Sequence, residues 1–216
     1  MIKKLIAKEI EPKLHSSLKE IGKLLDSDIR YQLIDIINWQ KFLYKPEVKF
    51  AIAYFNGEIF IKYKVKEKYI RALETQTNGE VYKDSCVEFF VSFDGKNYYN
   101  FEFSCIGTIH LTYGAGRNNR QFIDPEIIGH IEIESTLGVK PFTEKKGGFN
   151  WELIVRIPTL CFSFNQIKTL KGINATANFY KCGDGTSEPH FLTWNPIKTK
   201  NPDYHRPEFF GNLQFE

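Results

Sequence analysis

From Cys86 to Cys105 the chain alternates apolar and polar positions with a period of two, as strands do when their two faces meet different surroundings. Val87, Phe89, Val91 and Phe93 alternate with Cys86, Glu88, Phe90 and Ser92. Tyr99, Phe101, Phe103 and Cys105 alternate with Tyr98, Asn100, Glu102 and Ser104. Asp94-Gly95-Lys96 supplies the turn between them. A two-residue turn would set Phe89 against Asn100 and mix the faces. A three-residue turn pairs Phe93 with Asn97, Phe89 with Phe101 and Val87 with Phe103, so one whole face enters a core. A slip of one residue would flip every side chain, and this register is therefore the one expected. It also sets Glu88 directly opposite Glu102, Phe90 opposite Asn100 and Ser92 opposite Tyr98. Facing carboxylates repel across a ladder. An arginine, a cation, a shared proton or a ligand rich in hydroxyls would offset that. The face is then either a solvated surface with an arginine close by or a binding surface.

Elsewhere the pattern is mostly of the same kind. Leu14, Leu18, Ile21, Leu24 and Leu25 recur at helical spacing after Pro12 and predict one amphipathic helix over residues 12–25. From Ile29 strands take over, at 29–39, then at 47–55 and 58–66 around the hairpin signal Asn56-Gly57, then at 69–75 before Asn78-Gly79. A third strand and a loop with Gly114, Gly116, Arg117 and Arg120 follow the central hairpin. Further strands are expected at 131–135, 151–158, 174–182, 188–194 and 207–215. This spacing predicts an all-β antiparallel β-sandwich with jelly-roll or immunoglobulin-like layers. Residues 1–216 form one domain in this reading, with 1–27 as an N-terminal helical extension.

Composition narrows the picture. Nineteen Phe and eleven Tyr favour strands. The net charge of +3, with both signs interspersed, argues against a nucleic-acid partner, which requires a concentrated basic patch. The basic run Lys62 to Lys68 alternates with Tyr63 and Val65, as on the wet side of a strand. No apolar run approaches the length needed to cross a bilayer. The N-terminus begins like a signal peptide but meets Lys8, Glu9 and Glu11 before an apolar region develops. A cytoplasmic location is expected for the sequence as it stands, periplasmic or secreted if a leader is missing. Cys86, Cys105, Cys161 and Cys182 show no C-x-x-C, which argues against a zinc site, and free buried thiols are expected. Cys86 and Cys105 fall on opposite faces of the hairpin and should not be bonded.

Catalytic signatures are absent: there is no G-x-S-x-G, Walker A, H-E-x-x-H or strand-linked G-x-G-x-x-G. Gly114-Ala115-Gly116-Arg117 has no helix after it to bind a phosphate, and reads as a flexible turn presenting Arg117 and Arg120. His15, His110, His130, His190 and His205 lack metal-ligand spacing and are read as hydrogen-bonded surface or turn residues, His190 and His205 near the Trp194 loop. Trp39 and Trp151 sit at strand ends beside apolar runs and are assigned to the core. Trp194 precedes Asn195-Pro196 in a turn-rich segment, so its ring is expected at a loop edge.

Asp84-Ser85-Cys86-Val87-Glu88-Phe89-Phe90 and Tyr99-Asn100-Phe101-Glu102-Phe103 resemble the family 9 carbohydrate-binding modules and related DOMON-like β-sandwiches. The segments Trp194-Asn195-Pro196-Ile197 and Pro207-Glu208-Phe209-Phe210-Gly211 are similar to the end of the bacterial single-module proteins of that group. The resemblance covers residues 30–216. It implies a sugar stacked on aromatic rings, with charged and amide groups reading its hydroxyls. Two tryptophans clamp a terminal sugar in the family; this chain offers Tyr82 at the first place, six residues before Glu88. Trp194 is the leading platform, with Trp39 and Tyr204 as further candidates. Glu88, Glu102 and Asn100 are the expected hydroxyl readers, and Arg117 or Arg120 the counterpart of a family arginine. The resemblance also implies structural calcium bound by loop oxygens, for which Asp84, Asp94 and Asp124 sit in turns without EF-hand spacing. The haem held through Met and His in some DOMON-like domains has no ligand set here, because Met1 is the sole methionine.

The expected function is carbohydrate binding without catalysis, accessory to glycoside hydrolysis in polysaccharide catabolism, with no cofactor beyond calcium. The expected partner is an oligo- or polysaccharide, with no obligate protein partner. The alternative is a glycoside hydrolase using Glu88 and Glu102 across the short separation of a retaining mechanism.

Overall fold

Asn56 and Gly57 take φ of 44° and 76°, the left-handed pair that a two-residue hairpin requires. They join β4 (Glu47–Phe55) to β5 (Glu58–Ala72) in the computed structural model, which describes residues 2–216; Met1, the sole methionine, lies outside them. Three short strands precede this hairpin in the chain: β1 (Lys4–Glu9), β2 (Gln32–Leu33) and β3 (Ile36–Ile37). The central hairpin is β6 (Cys86–Ser92) and β7 (Tyr98–Ser104), followed by β8 (Ile109–Gly114) and β9 (Gln121–Phe122). Then come β10 (Glu132–Ser135), β11 (Phe142–Pro158), β12 (Asn174–Cys182), β13 (Phe191–Thr193) and β14 (Gly211–Phe215).

The strands form two layers. One has β11, β5 and β4 at its centre, the other β14, β12, β6, β7 and β8, and β1 belongs to both. The β6–β7 register is the expected one, with Val87 opposite Phe103, Phe89 opposite Phe101 and Glu88 opposite Glu102. The phenylalanine face meets the other layer, where Phe179 of β12 stacks on Phe50 of β4 at 3.7 Å between ring centroids. A sandwich follows because each layer has one apolar face and neither can bury it alone. The outer face of β6 and β7 is not solvated. Phe90, Tyr98 and Tyr180 pack with Trp39, Ile197, Tyr204 and Phe210 in a second cluster, so residues 197–210 act as a cover over one half of that face.

The N-terminal region differs from the sequence-based expectation. Residues 4–9 are a strand, parallel to β14 at Lys4–Ala7 and to β4 at Lys8–Glu9, and so not part of a helical extension. The helix, α1, spans Leu18–Asp28. It begins at Leu18 because Ser17 and Glu20 cap each other's backbone NH groups, which leaves Leu14 in solvent at 88% exposure. Leu18, Ile21 and Leu25 pack on Ala51, Ala53, Phe60 and Ile154 of β4, β5 and β11. Lys62, expected on a wet face, lies buried beside this helix with its ammonium 2.7 Å from Asp26 and 2.9 Å from Glu152. The strand expected at 69–75 continues β5, and the stretch 29–39 breaks into β2 and β3. A short helix, α2 (Pro125–Ile128), is capped by Asp124.

One ion pair spans the two layers. Glu67 of β5 and Lys181 of β12 meet at 2.9 Å with no side-chain exposure on either. The Lys181 ammonium also donates to His190 Nε2 at 2.9 Å and to the Cys182 carbonyl at 2.8 Å. His190 therefore carries its proton on Nδ1, which donates to the Glu188 carbonyl. Burial and the Lys181 charge hold its pKa well below the ordinary value. Trp151 Nε1 donates to the other Glu67 oxygen at 2.7 Å. Removing one partner leaves a buried charge, so Glu67→Gln or Lys181→Met should each cost about 3–5 kcal/mol in urea unfolding. The double variant should cost less than the sum of the two.

Candidate functional site

A cleft of about 900 Å³ opens on the part of the outer face that residues 197–210 leave uncovered. Its floor is made by Glu88 of β6, Asn100 and Glu102 of β7, and His110 and Thr112 of β8, placed side by side by the strand registers. Tyr82, in the turn before β6, lines it together with Arg117, Asn118 and Asn119 from the loop after β8. Asp184, just past β12, and the segment 202–205 complete the lining. Phe122, 63% exposed, also contributes to it.

Arg120 organises this site from behind. Its Nε donates to Asn100 Oδ1 at 3.0 Å and to Thr112 Oγ1 at 2.7 Å. The Nη groups donate to the carbonyls of Gly114, Gly116, Tyr98 and Thr112 at 2.8–3.2 Å. The guanidinium also lies over the Tyr98 ring, 4.2 Å from its centroid. All five donors have partners, so Arg120 fixes the loop and the amide below it and has none left for a hydroxyl. Arg117 is exposed and makes no ion pair among the described residues. The tethered loop holds it at the cleft.

Asn100 Nδ2 donates to Glu102 Oε1 at 2.9 Å, and Thr112 donates to Asn100 Oδ1. Glu102 Oε2 is buried with no hydrogen-bond partner. Glu88 Oε1 accepts from the Cys182 thiol at 3.0 Å. Burial and the facing Glu102 push Glu88 well above the carboxylate range. Burial raises Glu102 too, opposed by His110, Asn100 and the two arginines, so Glu88 is the member that keeps a proton. Asp184 has an open side, but the cleft walls desolvate it and Glu102 repels its charge, pushing it up to about 7.

Six of the residues singled out from the sequence thus gather in one cleft: Tyr82, Glu88, Asn100, Glu102, Arg117 and Arg120. Trp194 does not join them. It is 1% exposed, edge-on to Phe50 and Phe179, and its backbone NH bonds the Phe179 carbonyl, continuing the pairing of β13 with β12. The approach of β14 depends on Gly211, where a Cβ would lie 2.5 Å from the indole ring. The turn-rich segment after Trp194 lies over the sheet and not at its rim, so its composition misleads. Trp39 and Trp151 are in the core as expected, bonded through Nε1 to the Thr199 carbonyl and to Glu67. Tyr204 borders the cleft but stacks on Tyr180 at 4.1 Å. Asp84 accepts from the Leu73 and Glu74 NH groups and pairs with Arg71, Asp94 caps its hairpin turn, and Asp124 caps α2. Asp84 Oδ2, Asp94 Oδ1 and Asp124 Oδ1 serve in those roles. All four cysteines are free and buried.

Residues 19–215 match the model of carbohydrate-binding family 9. The chain belongs to that family. A solved structure from Bacteroides uniformis, of a protein proposed to bind carbohydrate, is 41% identical over the whole of both chains, with a TM-score of 0.96. Two structures of a family 9 module from Caldicellulosiruptor kristjanssonii, one with glucose and one with cellotriose, share the fold. They are 12% and 11% identical, with TM-scores of 0.62 and 0.60; each covers 99% of this chain, and 96% and 94% of the module. No curated protein matches.

These placements have two measurable consequences. Trp194→Ala should destabilise the fold by about 3–5 kcal/mol in chemical denaturation, as loss of a large core side chain does. His205, whose Nδ1 is 2.8 Å from the Tyr98 hydroxyl, is pushed down to about 3 by burial and by the charges of Arg120 and Arg117. Its folded pKa lies below the ordinary value of 6.5, so its contribution to stability is complete above about 6.5 and is lost as pH falls toward 3. Melting temperatures of His205→Gln should fall less steeply than those of the wild type across that window.

Proposed function

We propose that this family 9 chain is a non-catalytic carbohydrate-binding module, and that the cleft over Glu88 and Glu102 takes the sugar. The observation that carries the reading is Glu102 Oε2, a buried carboxylate oxygen without a partner in a cleft bordered by aromatic rings. A buried acceptor left unmade is costly, and a sugar hydroxyl is a donor of the right size to satisfy it. Tyr82 and the exposed Phe122 offer rings for the apolar face of a pyranose. Arg117 has donors to spare, and a protonated Glu88 both donates and accepts. The module serves polysaccharide catabolism by holding a glycan for enzymes that cleave it.

A second reading, a glycoside hydrolase, is favoured by one observation: the environment keeps a proton on Glu88 while drawing positive groups toward Glu102, as an acid and a nucleophile would need. A glycan panel followed by titration calorimetry separates the two. Tyr82→Ala and Glu102→Gln should each weaken binding by about 1–3 kcal/mol with folding intact. The wild type should release no reducing ends from any glycan it binds. Sustained turnover lost in both Glu88→Gln and Glu102→Gln would establish the hydrolase. Unchanged affinity in Tyr82→Ala, Glu88→Gln and Glu102→Gln would move the sugar off this cleft.

A further inference from the structure

Cys86 and Cys182 stand directly opposite each other on β6 and β12. Glu88 lies two residues along β6 from Cys86, so its side chain leaves the sheet on the same face. The two sulfurs and a Glu88 oxygen lie within 4.8 Å of one another, all buried, and no other such group of His, Cys, Asp and Glu occurs among the described residues. We propose that Cys86, Glu88 and Cys182 form a binding site for a thiophilic divalent cation of the zinc or cadmium type.

Four features of the site support this. Two sulfurs and one carboxylate oxygen make a donor set that selects zinc-like cations over calcium or magnesium, which take oxygen ligands. Donors sharing a tetrahedral zinc sit about 3.5–4 Å apart, given metal–ligand bonds of about 2.0–2.3 Å. Cys182 Sγ is 3.0 Å from Glu88 Oε1, so that pair needs to open by less than about 1 Å. The donors rise from adjacent hydrogen-bonded strands, whose spacing holds them together. Glu88 and Cys182 line the cleft, which gives an ion a path in and leaves its fourth position for water. On binding, the two thiols and the Glu88 carboxyl release their protons to solvent.

The charge balance of the cleft points the same way. Glu88 faces Glu102 across the ladder, so it can ionise there only beside a positive partner. Arg120 has committed its donors elsewhere, and Arg117 is exposed and makes no ion pair among the described residues. A cation on Glu88 supplies what the side chains do not. The site does not rest on the carbohydrate reading, and its test uses no sugar.

The experiment is a cobalt(II) titration of the full chain, reduced, stripped of metal with a chelator and kept under nitrogen. The expected result is a near-ultraviolet thiolate-to-cobalt charge-transfer band that saturates at one ion per chain. Zinc should bleach it, and excess calcium should leave it unchanged. Cys105→Ser and Cys161→Ser, with thiols buried elsewhere in the core, should keep the band; Cys182→Ser should lose it. Glu88→Gln, which retains both sulfurs, should weaken zinc by about tenfold or more against a chromophoric chelator. Absence of the band in the wild type overturns the proposal whatever the variants do. A band that survives in folded Cys182→Ser, or zinc affinity unchanged in Glu88→Gln, overturns it as well.

Discussion

The pleat of β6 and β7 is the constraint on which both halves of this molecule depend. Because successive side chains leave a strand on opposite sides, one register decision sends Val87, Phe89, Phe101 and Phe103 into the core and raises Glu88, Asn100 and Glu102 on the other side. The phenylalanines hold the sandwich together by burial, which is non-directional and grows with the apolar area removed from water. That stability permits the opposite side to carry facing carboxylates. The cleft is thus a local violation of good electrostatics, maintained by an apolar face directly behind it.

The carboxylates do not stand on the sheet alone. β12 runs beside β6 and bears the Lys181 ammonium on the inner side and the Cys182 thiol on the outer side. Neighbouring residues therefore anchor one layer to the other and close the back of the cleft. Arg120 plays a comparable part from the opposite flank, tying the loop that presents Arg117 to the strands that present Asn100 and Thr112. The site is built by rigid strands where precision matters and by pinned loops at its rim.

What can be read in the sequence follows the same division. Period-two alternation is a local property, so the hairpin, its register and the Glu88–Glu102 juxtaposition are all legible in residues 86–105 alone. His110 is within reach too, since extending the register to the next strand sets it opposite Glu102. Asp184 is not, because only the pairing of β12 with β6 brings it to a strand nearly a hundred residues earlier. Trp194 misleads for a related reason: a turn-rich segment signals a surface loop, but nothing local says whether that loop hangs free or lies over a sheet. Lys62 has the alternation of a solvated position, and only the packing of α1 across it makes it buried. The helix itself begins late because Ser17 and Glu20 cap each other, and residues 13–16 form a separate turn before it.

β1 has one further consequence. Residue 4 pairs with residue 212, and the same strand crosses to β4 a few residues on. β4 can receive Lys8–Glu9 early, but Lys4–Ala7 have no partner strand until β14 is available. On a ribosome the early strands must wait, with β1 unpaired on one side, until residues 211–215 have emerged. Contacts so distant along the chain slow folding and lengthen the time that an open edge is exposed. Once β14 docks, β1 is held by one layer at Lys4–Ala7 and by the other at Lys8–Glu9, so it cannot leave without breaking a ladder in each.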